Sequence, residues 1–170
     1  MMIFRTIALV TIVCLGASLP ANAQPAKETD MNSTGPQRAA RTHAIAKVAV
    51  RTSEAKPYDQ SASSALVEIT IEETFTGGIE GDSQVRALQV RREDRSASMV
   101  SMQRVRGRLG GREGTFVLQG SEVVDNGKIK ATWFVVPGSG TGELAGLRGE
   151  GGFAGAFGKG SEATLGYWFE

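Results

Sequence analysis

The sequence predicts an all-β domain folded as an eight-stranded antiparallel up-and-down barrel. Apolar and polar residues alternate with a period of two over most of the chain after residue 42, as in strands that have one buried face. Glycine pairs and an Asn-Gly dipeptide separate the alternating segments, as short antiparallel turns require. No segment of ten or more residues has the 3.6-residue period of an amphipathic helix. Closure into a barrel removes the uncovered sheet edges, and a two-sheet sandwich is the alternative that the same pattern allows.

Residues 1–23 have the features of a secretion signal. Arg5 gives the amino-terminal region its positive charge, and residues 7–19 are almost wholly apolar. Ala21-Asn22-Ala23 then supplies the small residues of a cleavage site. The apolar run is too short to span a bilayer as a helix. The sequence therefore predicts a secreted or periplasmic protein that is cleaved after Ala23 and is no longer associated with a membrane.

The composition limits the classes of function open to the rest of the chain. Residues 24–42 are polar and without periodicity, which predicts a disordered leader before a barrel domain over residues 43–170. With 19 basic and 18 acidic residues, the near-zero net charge argues against a general nucleic-acid binder. Cys14 lies within the signal, so the mature protein would have no disulfide. With His43 as its single histidine, it would also lack a conventional zinc site.

Four strands are predicted in the first half of the domain. The first begins at His43 and is interrupted at residues 56–59, where Pro57 lies. Two glycines end the second strand, a charged turn at residues 92–95 ends the third, and two further glycines end the fourth. The apolar faces of the first two strands comprise Ala44, Ala46, Val48 and Val50, and Val67, Ile69, Ile71 and Phe75, and the third and fourth strands span about 82–92 and 97–109.

Four more strands complete the predicted barrel, over residues 115–124, 129–136, 151–157 and 163–169. Asp125-Asn126-Gly127 joins the first two of these, because an Asn-Gly dipeptide suits the type I′ turn of a two-residue hairpin.

A structured crossing of about one helical turn is predicted between the sixth and seventh strands. Pro137 ends the sixth strand because it cannot donate a ladder hydrogen bond. Thr141 would cap the turn, with Glu143 in the first turn where the helix dipole favours an anion. Gly149 would end the turn in a left-handed conformation. One turn is too short for the helix of a dinucleotide site, so no cofactor is predicted.

Several blocks of sequence resemble known families. Thr141-Gly142-x-Leu144 followed by Arg148-Gly149 resembles the loop motif of plant dirigent proteins and allene oxide cyclases. Further blocks resemble a bacterial family of unknown function grouped with the allene-oxide-cyclase-like barrels: Pro57-Tyr58-Asp59, Thr74-Phe75-Thr76-Gly77, Gly111-Arg112-x-Gly114-x-Phe116-Val117-Leu118-Gln119, and the block from Trp133 to Gly149. The resemblance implies a barrel of the allene-oxide-cyclase-like type and no established activity. Gln103-Arg104 stands where such proteins often have Glu-Arg, which weakens the case for proton transfer there.

The function predicted from the sequence is binding of a small apolar molecule in the barrel lumen. Glu73 shares strand parity with Ile71 and Phe75, so it would face inward, and burial would raise the pKa of its carboxyl group. The predicted ligand-binding residues are Glu73, Phe75, Gln103, Arg104, Trp133 and Tyr167.

Two alternatives are open. The first is an isomerase or cyclase in which Glu73 is the acid or base and Arg104 or Arg148 stabilises an anion. The second is an interaction protein whose barrel is packed solid. The sequence does not determine whether the protein forms oligomers, and no metal is predicted. Arg104, Arg106 and Arg108 alternate along one strand and therefore share a face. That face is either a solvated outer face or an anion site.

Overall fold

A computed structural model describes residues 40–61, 63–156 and 160–170, and the predicted signal and residues 24–39 of the predicted leader lie outside the described residues. Each strand pairs antiparallel with its neighbours in the sequence, and the first pairs with the last to close the barrel. The eight-stranded antiparallel barrel is therefore confirmed, and the sandwich alternative is wrong. The strands are β1 (Thr42–Gln60), β2 (Ser64–Gly77), β3 (Ile79–Arg92), β4 (Ala97–Leu109), β5 (Arg112–Asp125), β6 (Lys128–Val135), β7 (Leu147–Ala156) and β8 (Ser161–Phe169).

Strand β4 shows how the sequence pattern determines which side chains enter the lumen. Its observed bounds are those predicted from the alternation, and buried and exposed residues alternate along most of its length. Met99, Gln103 and Val105 are buried, whereas Arg104 between the last two is exposed. Successive side chains of a strand point to opposite faces, so one face of β4 lines the lumen and the other lies in solvent.

Strand β1 continues through the proline that was expected to interrupt it. It runs to Gln60, and Pro57 pairs with Val67 of β2, with a register shift before Asp59. In the described part of the chain, β1 pairs with β8 only as far as Val48. Beyond that point, β1 has a ladder on one side only among the residues that the structure describes. An edge strand tolerates a residue that lacks the backbone N–H.

The hairpin between β5 and β6 has the predicted turn. Asn126 and Gly127 have φ angles of 49° and 71°, the two successive positive values that define a type I′ turn.

The crossing from β6 to β7 contains a short 3₁₀ turn at Gly142–Leu144, but two of its details differ from the prediction. Thr141 makes no capping bond to the turn; its Oγ1 accepts a hydrogen bond from the Thr115 backbone N–H at 3.1 Å. Gly146, with φ of 77°, provides the left-handed residue. Gly149 does not, because β7 already begins at Leu147, where pairing with β8 fixes an extended backbone.

The interior of the barrel contains two apolar clusters at different levels. The large cluster includes Phe75, Phe116 and Leu165, and the small cluster includes Ile69 and Met99. Along the inward faces of β2 to β5, the residues between the two clusters are mostly polar: Glu73, Ser83, Ser101, Gln103 and Glu122. The described part of the chain has no helix long and apolar enough to span a membrane.

Candidate functional site

A cavity of about 370 Å³ lies in the lumen at the level of this polar layer. The lumen is therefore not packed solid. Residues from all eight strands contribute to its wall. They are Val48, Val50, Ser53, Ile71, Glu73, Val85, Ala87, Met99, Ser101, Gln103, Glu122, Ile129, Trp133, Phe153 and Ser161.

Glu73 is held in the cavity wall by neutral donors from two neighbouring strands. Gln103 Nε2 on β4 donates to Glu73 Oε2 at 2.6 Å, and Ser83 Oγ on β3 approaches the same oxygen at 3.4 Å. Gln103 Nε2 also donates to Ser83 Oγ at 2.9 Å, which joins the three side chains. Burial raises the pKa of the Glu73 carboxyl group, the two hydrogen bonds lower it in part, and the charge of Glu122 raises it further.

Glu122 is a second carboxyl group in the same wall, and it is buried. Only 7% of the residue is exposed. Ser101 Oγ donates to Glu122 Oε1 at 2.5 Å, while Oε2 has no hydrogen-bond partner among the described residues. Gly120 leaves room for this pair, since a Cβ there would collide with both side-chain oxygens. Burial raises the pKa of Glu122, and the Ser101 hydrogen bond opposes this only in part.

Two aromatic side chains form another part of the wall. The rings of Trp133 on β6 and Phe153 on β7 are 5.3 Å apart between centroids and inclined at 50°. Trp133 is 6% exposed, and its Nε1 has no hydrogen-bond partner within the described ranges. Gly151 is its cross-strand partner, and a Cβ at this position would come within 2.9 Å of Nε1. The indole is thus accommodated by the absence of a side chain opposite it.

The described residues that line the cavity include two carboxyl groups and no lysine, arginine or histidine. Within residues 40–61, 63–156 and 160–170, no group of three or more His, Cys, Asp or Glu side chains is arranged to hold a metal ion.

The structure brings together only some of the residues predicted as a ligand site. Glu73, Gln103 and Trp133 line the cavity. Phe75 and Tyr167 face inward but lie in the large cluster, where Phe75 is 1% exposed and Tyr167 packs edge-on against Phe169. Their placement in the cavity was therefore wrong: strand parity gives the side of the wall and not the level along the barrel.

Arg104 does not belong to the lumen, because Gln103 and Val105 on either side of it point inward. It lies on the outer face, in an external groove of about 320 Å³ that Arg86 and Arg106 also line. The grouping of Arg104 with the lumen residues is thus wrong.

Arg148 is also outside the cavity. Its Nη2 donates to Glu170 Oε2 at 2.6 Å, and this pairing raises the pKa of the guanidinium group and lowers that of the carboxyl group. Neither candidate arginine therefore stands beside Glu73, and the arrangement expected for the cyclase alternative is not assembled.

Two cavity residues that were not predicted, Glu122 and Ser101, could have been found from the same alternation of inward and outward residues. Glu122 shares strand parity with Leu118 and Val124, so counting back from the Asn-Gly turn places it inside the barrel. Ser101 shares parity with Gln103 in the same way. Both were overlooked because an acidic residue and a serine in a strand are more often read as solvent-exposed.

Comparison with known proteins agrees with this fold. The family described as "Protein of unknown function (DUF3224)" matches residues 44–169. A crystal structure from Shewanella oneidensis MR-1, described as a protein with unknown function from the DUF3224 family, is 29% identical to the chain. The superposition covers 76% of this chain and 98% of that one, with a TM-score of 0.61. Curated proteins give no match. The chain belongs to the DUF3224 family of proteins of unknown function.

Proposed function

We propose that the barrel binds a small, largely apolar molecule in its lumen. The observation that carries the proposal is the cavity of about 370 Å³, whose wall is mainly apolar with a few polar groups at one level. Ligand pockets in proteins are commonly about 300–1,000 Å³ and have this kind of lining. Within the described residues, Glu122 Oε2 and Trp133 Nε1 have no hydrogen-bond partner, which supports the proposal because buried polar groups without partners are rare in native proteins.

A neutral fluorescent probe, N-phenyl-1-naphthylamine, tests the proposal. Val85→Phe would fill part of the cavity, and Leu88→Phe would add the same ring to the outer face of the same strand. We expect the wild type and Leu88→Phe to bind the probe alike, and Val85→Phe to bind it at least about tenfold more weakly. Melting curves would verify that both variants are folded. Absence of probe binding by the wild type, or equal binding by a folded Val85→Phe, would overturn the proposal.

A second candidate is an isomerase or cyclase like the allene oxide cyclases that the sequence resembles. The burial of Glu73 in the cavity wall favours it, because a carboxyl group whose pKa is raised in an apolar lumen can exchange a proton with a bound molecule. Arg104 and Arg148 have no part in this candidate. If it holds, Glu73→Gln should abolish cyclisation of an allene oxide while the outward-facing Glu72→Gln retains it; no turnover by the wild type would exclude it.

The protein is proposed to act outside the cytoplasm, in secreted or periplasmic form. Arg5, the apolar run at residues 7–19 and the Ala21-Asn22-Ala23 site support this placement.

A further inference from the structure

The charge of the lumen points to the chemical class of its ligand. Glu73 and Glu122 line one cavity, and no basic side chain is found among the described residues of its wall. Their hydrogen-bond donors are all neutral: a glutamine and a serine for Glu73, and a serine for Glu122. A buried carboxylate without a positive partner is unstable relative to its protonated form or to an ion pair. The described wall of the lumen therefore has a deficit of positive charge.

The aromatic wall is suited to the same kind of partner. Trp133 and Phe153 line the cavity together with the two glutamates. The face of an aromatic ring attracts cations through its quadrupole, most strongly when the site is desolvated. Carboxyl groups beside two aromatic rings favour an organic cation over a neutral or anionic group.

We propose that the lumen ligand is an amine whose ammonium group lies beside Glu122 and Glu73, with its apolar body against the aliphatic wall. This proposal rests on the proposed function of small-molecule binding in the lumen. Glu122 Oε2 is the principal acceptor, because it is buried and has no other partner in the described part of the chain. Ile71, Val85 and Ile129 supply apolar surface for the rest of the molecule.

The protonation of the two glutamates fits this arrangement. Burial raises the pKa of both carboxyl groups, and the charge of Glu122 adds to the effect on Glu73. A bound ammonium group would favour the ionised form of the carboxyl group that it contacts. One cation beside Glu122 would also offset the repulsion that Glu122 exerts on Glu73.

Three molecules with the same chain and different head groups test the proposal: octylamine, 1-octanol and octanoate. Each would be titrated at neutral pH against the wild-type protein loaded with N-phenyl-1-naphthylamine. We expect octylamine to displace the probe at about a tenfold lower concentration than 1-octanol, with octanoate weakest. Glu122→Gln should remove this preference, because the substitution removes the negative charge and nearly conserves the volume of the side chain. Glu72→Gln on the outer face is the matched control and should keep the preference.

The outcomes separate the two proposals. Equal displacement by all three molecules would overturn the amine proposal while leaving lumen binding intact, and so would a preference that survives in both Glu122→Gln and Glu73→Gln. A wild type that does not bind the neutral probe would overturn lumen binding itself, and the amine proposal with it. If Glu122→Gln fails to fold in a melting experiment, Glu73→Gln gives the decisive comparison.

Discussion

Glu73 and Glu122 face the same cavity but are held differently. Two neutral donors approach one oxygen of Glu73, whereas Glu122 has a single donor and a free oxygen among the described residues. Desolvation is the main cause of the raised pKa in both cases. The difference makes Glu122 the less satisfied of the two groups, and hence the one whose response to a cationic ligand should be larger.

The pH dependence of stability follows from the raised pKa values. The ordinary pKa of a glutamate is 4.5, so above this pH the unfolded chain releases protons that the folded protein keeps. The free energy of unfolding should therefore fall as pH rises from 4.5 through the raised pKa values of Glu73 and Glu122. Glu122→Gln removes one of the two titrations and should make this decline shallower. Melting temperatures measured from pH 4.5 to about 8 would check it; parallel curves for wild type and variant would contradict the assignment.

For individual site residues, strand parity predicts whether a side chain faces the lumen or the solvent, but not its level along the barrel. Parity correctly indicated that Glu73 faces inward, and it could have rejected Arg104, since a neighbour of the inward Gln103 must point outward. It could not distinguish Phe75 from Glu73. The level of a residue along the barrel depends on the stagger between all the strands, which arises from long-range closure.

At the scale of elements, the type I′ hairpin between β5 and β6 gives a direct test of local backbone strain. Gly127 has a φ of 71°, and a Cβ there would meet nothing within 4 Å, so only the backbone conformation disfavours a side chain. Gly127→Val should lower the free energy of unfolding by about 1–3 kcal/mol, because a β-branched residue resists positive φ.

Chemical denaturation would measure this change. Lys128→Val is the control, because the next residue is exposed and already extended in β6, where valine is well tolerated. Equal stability of Gly127→Val and wild type would mean that the turn does not require glycine.

Elements were predicted well where a local signal marks both ends. β4 lies between a charged turn and a glycine pair, and its bounds are as predicted. β1 was cut short at Pro57, because tolerance of proline depends on whether a neighbouring strand needs the missing N–H. Thr141 was assigned to a cap because only its neighbours in the sequence were considered, whereas its actual partner, Thr115, lies in β5, distant in the sequence.

At the scale of the whole chain, the predicted export signal gives the third test. We expect protein recovered from the periplasm or medium of its source to begin at Gln24, because cleavage follows Ala23. Intact-mass measurement of the exported protein would decide the point. Ala23→Arg, which places a large charged residue at the cleavage site, should block processing, whereas Gln24→Asn should not. A mass that retains residues 1–23 in the exported wild type would contradict cleavage after Ala23, and absence of the protein from the periplasm and medium would contradict its placement outside the cytoplasm.

The pairing of β1 with β8 has a consequence for how the protein is synthesised. Every other ladder joins strands adjacent in the sequence and can form as the chain emerges from the ribosome. The closing ladder, from Thr42–Tyr167 to Val48–Ser161, must wait until β8 has been translated. Until then the nascent domain is an open curved sheet with two free edges and an exposed apolar interior, a form prone to intermolecular pairing. An exported chain would benefit from being kept unfolded by a chaperone over this interval.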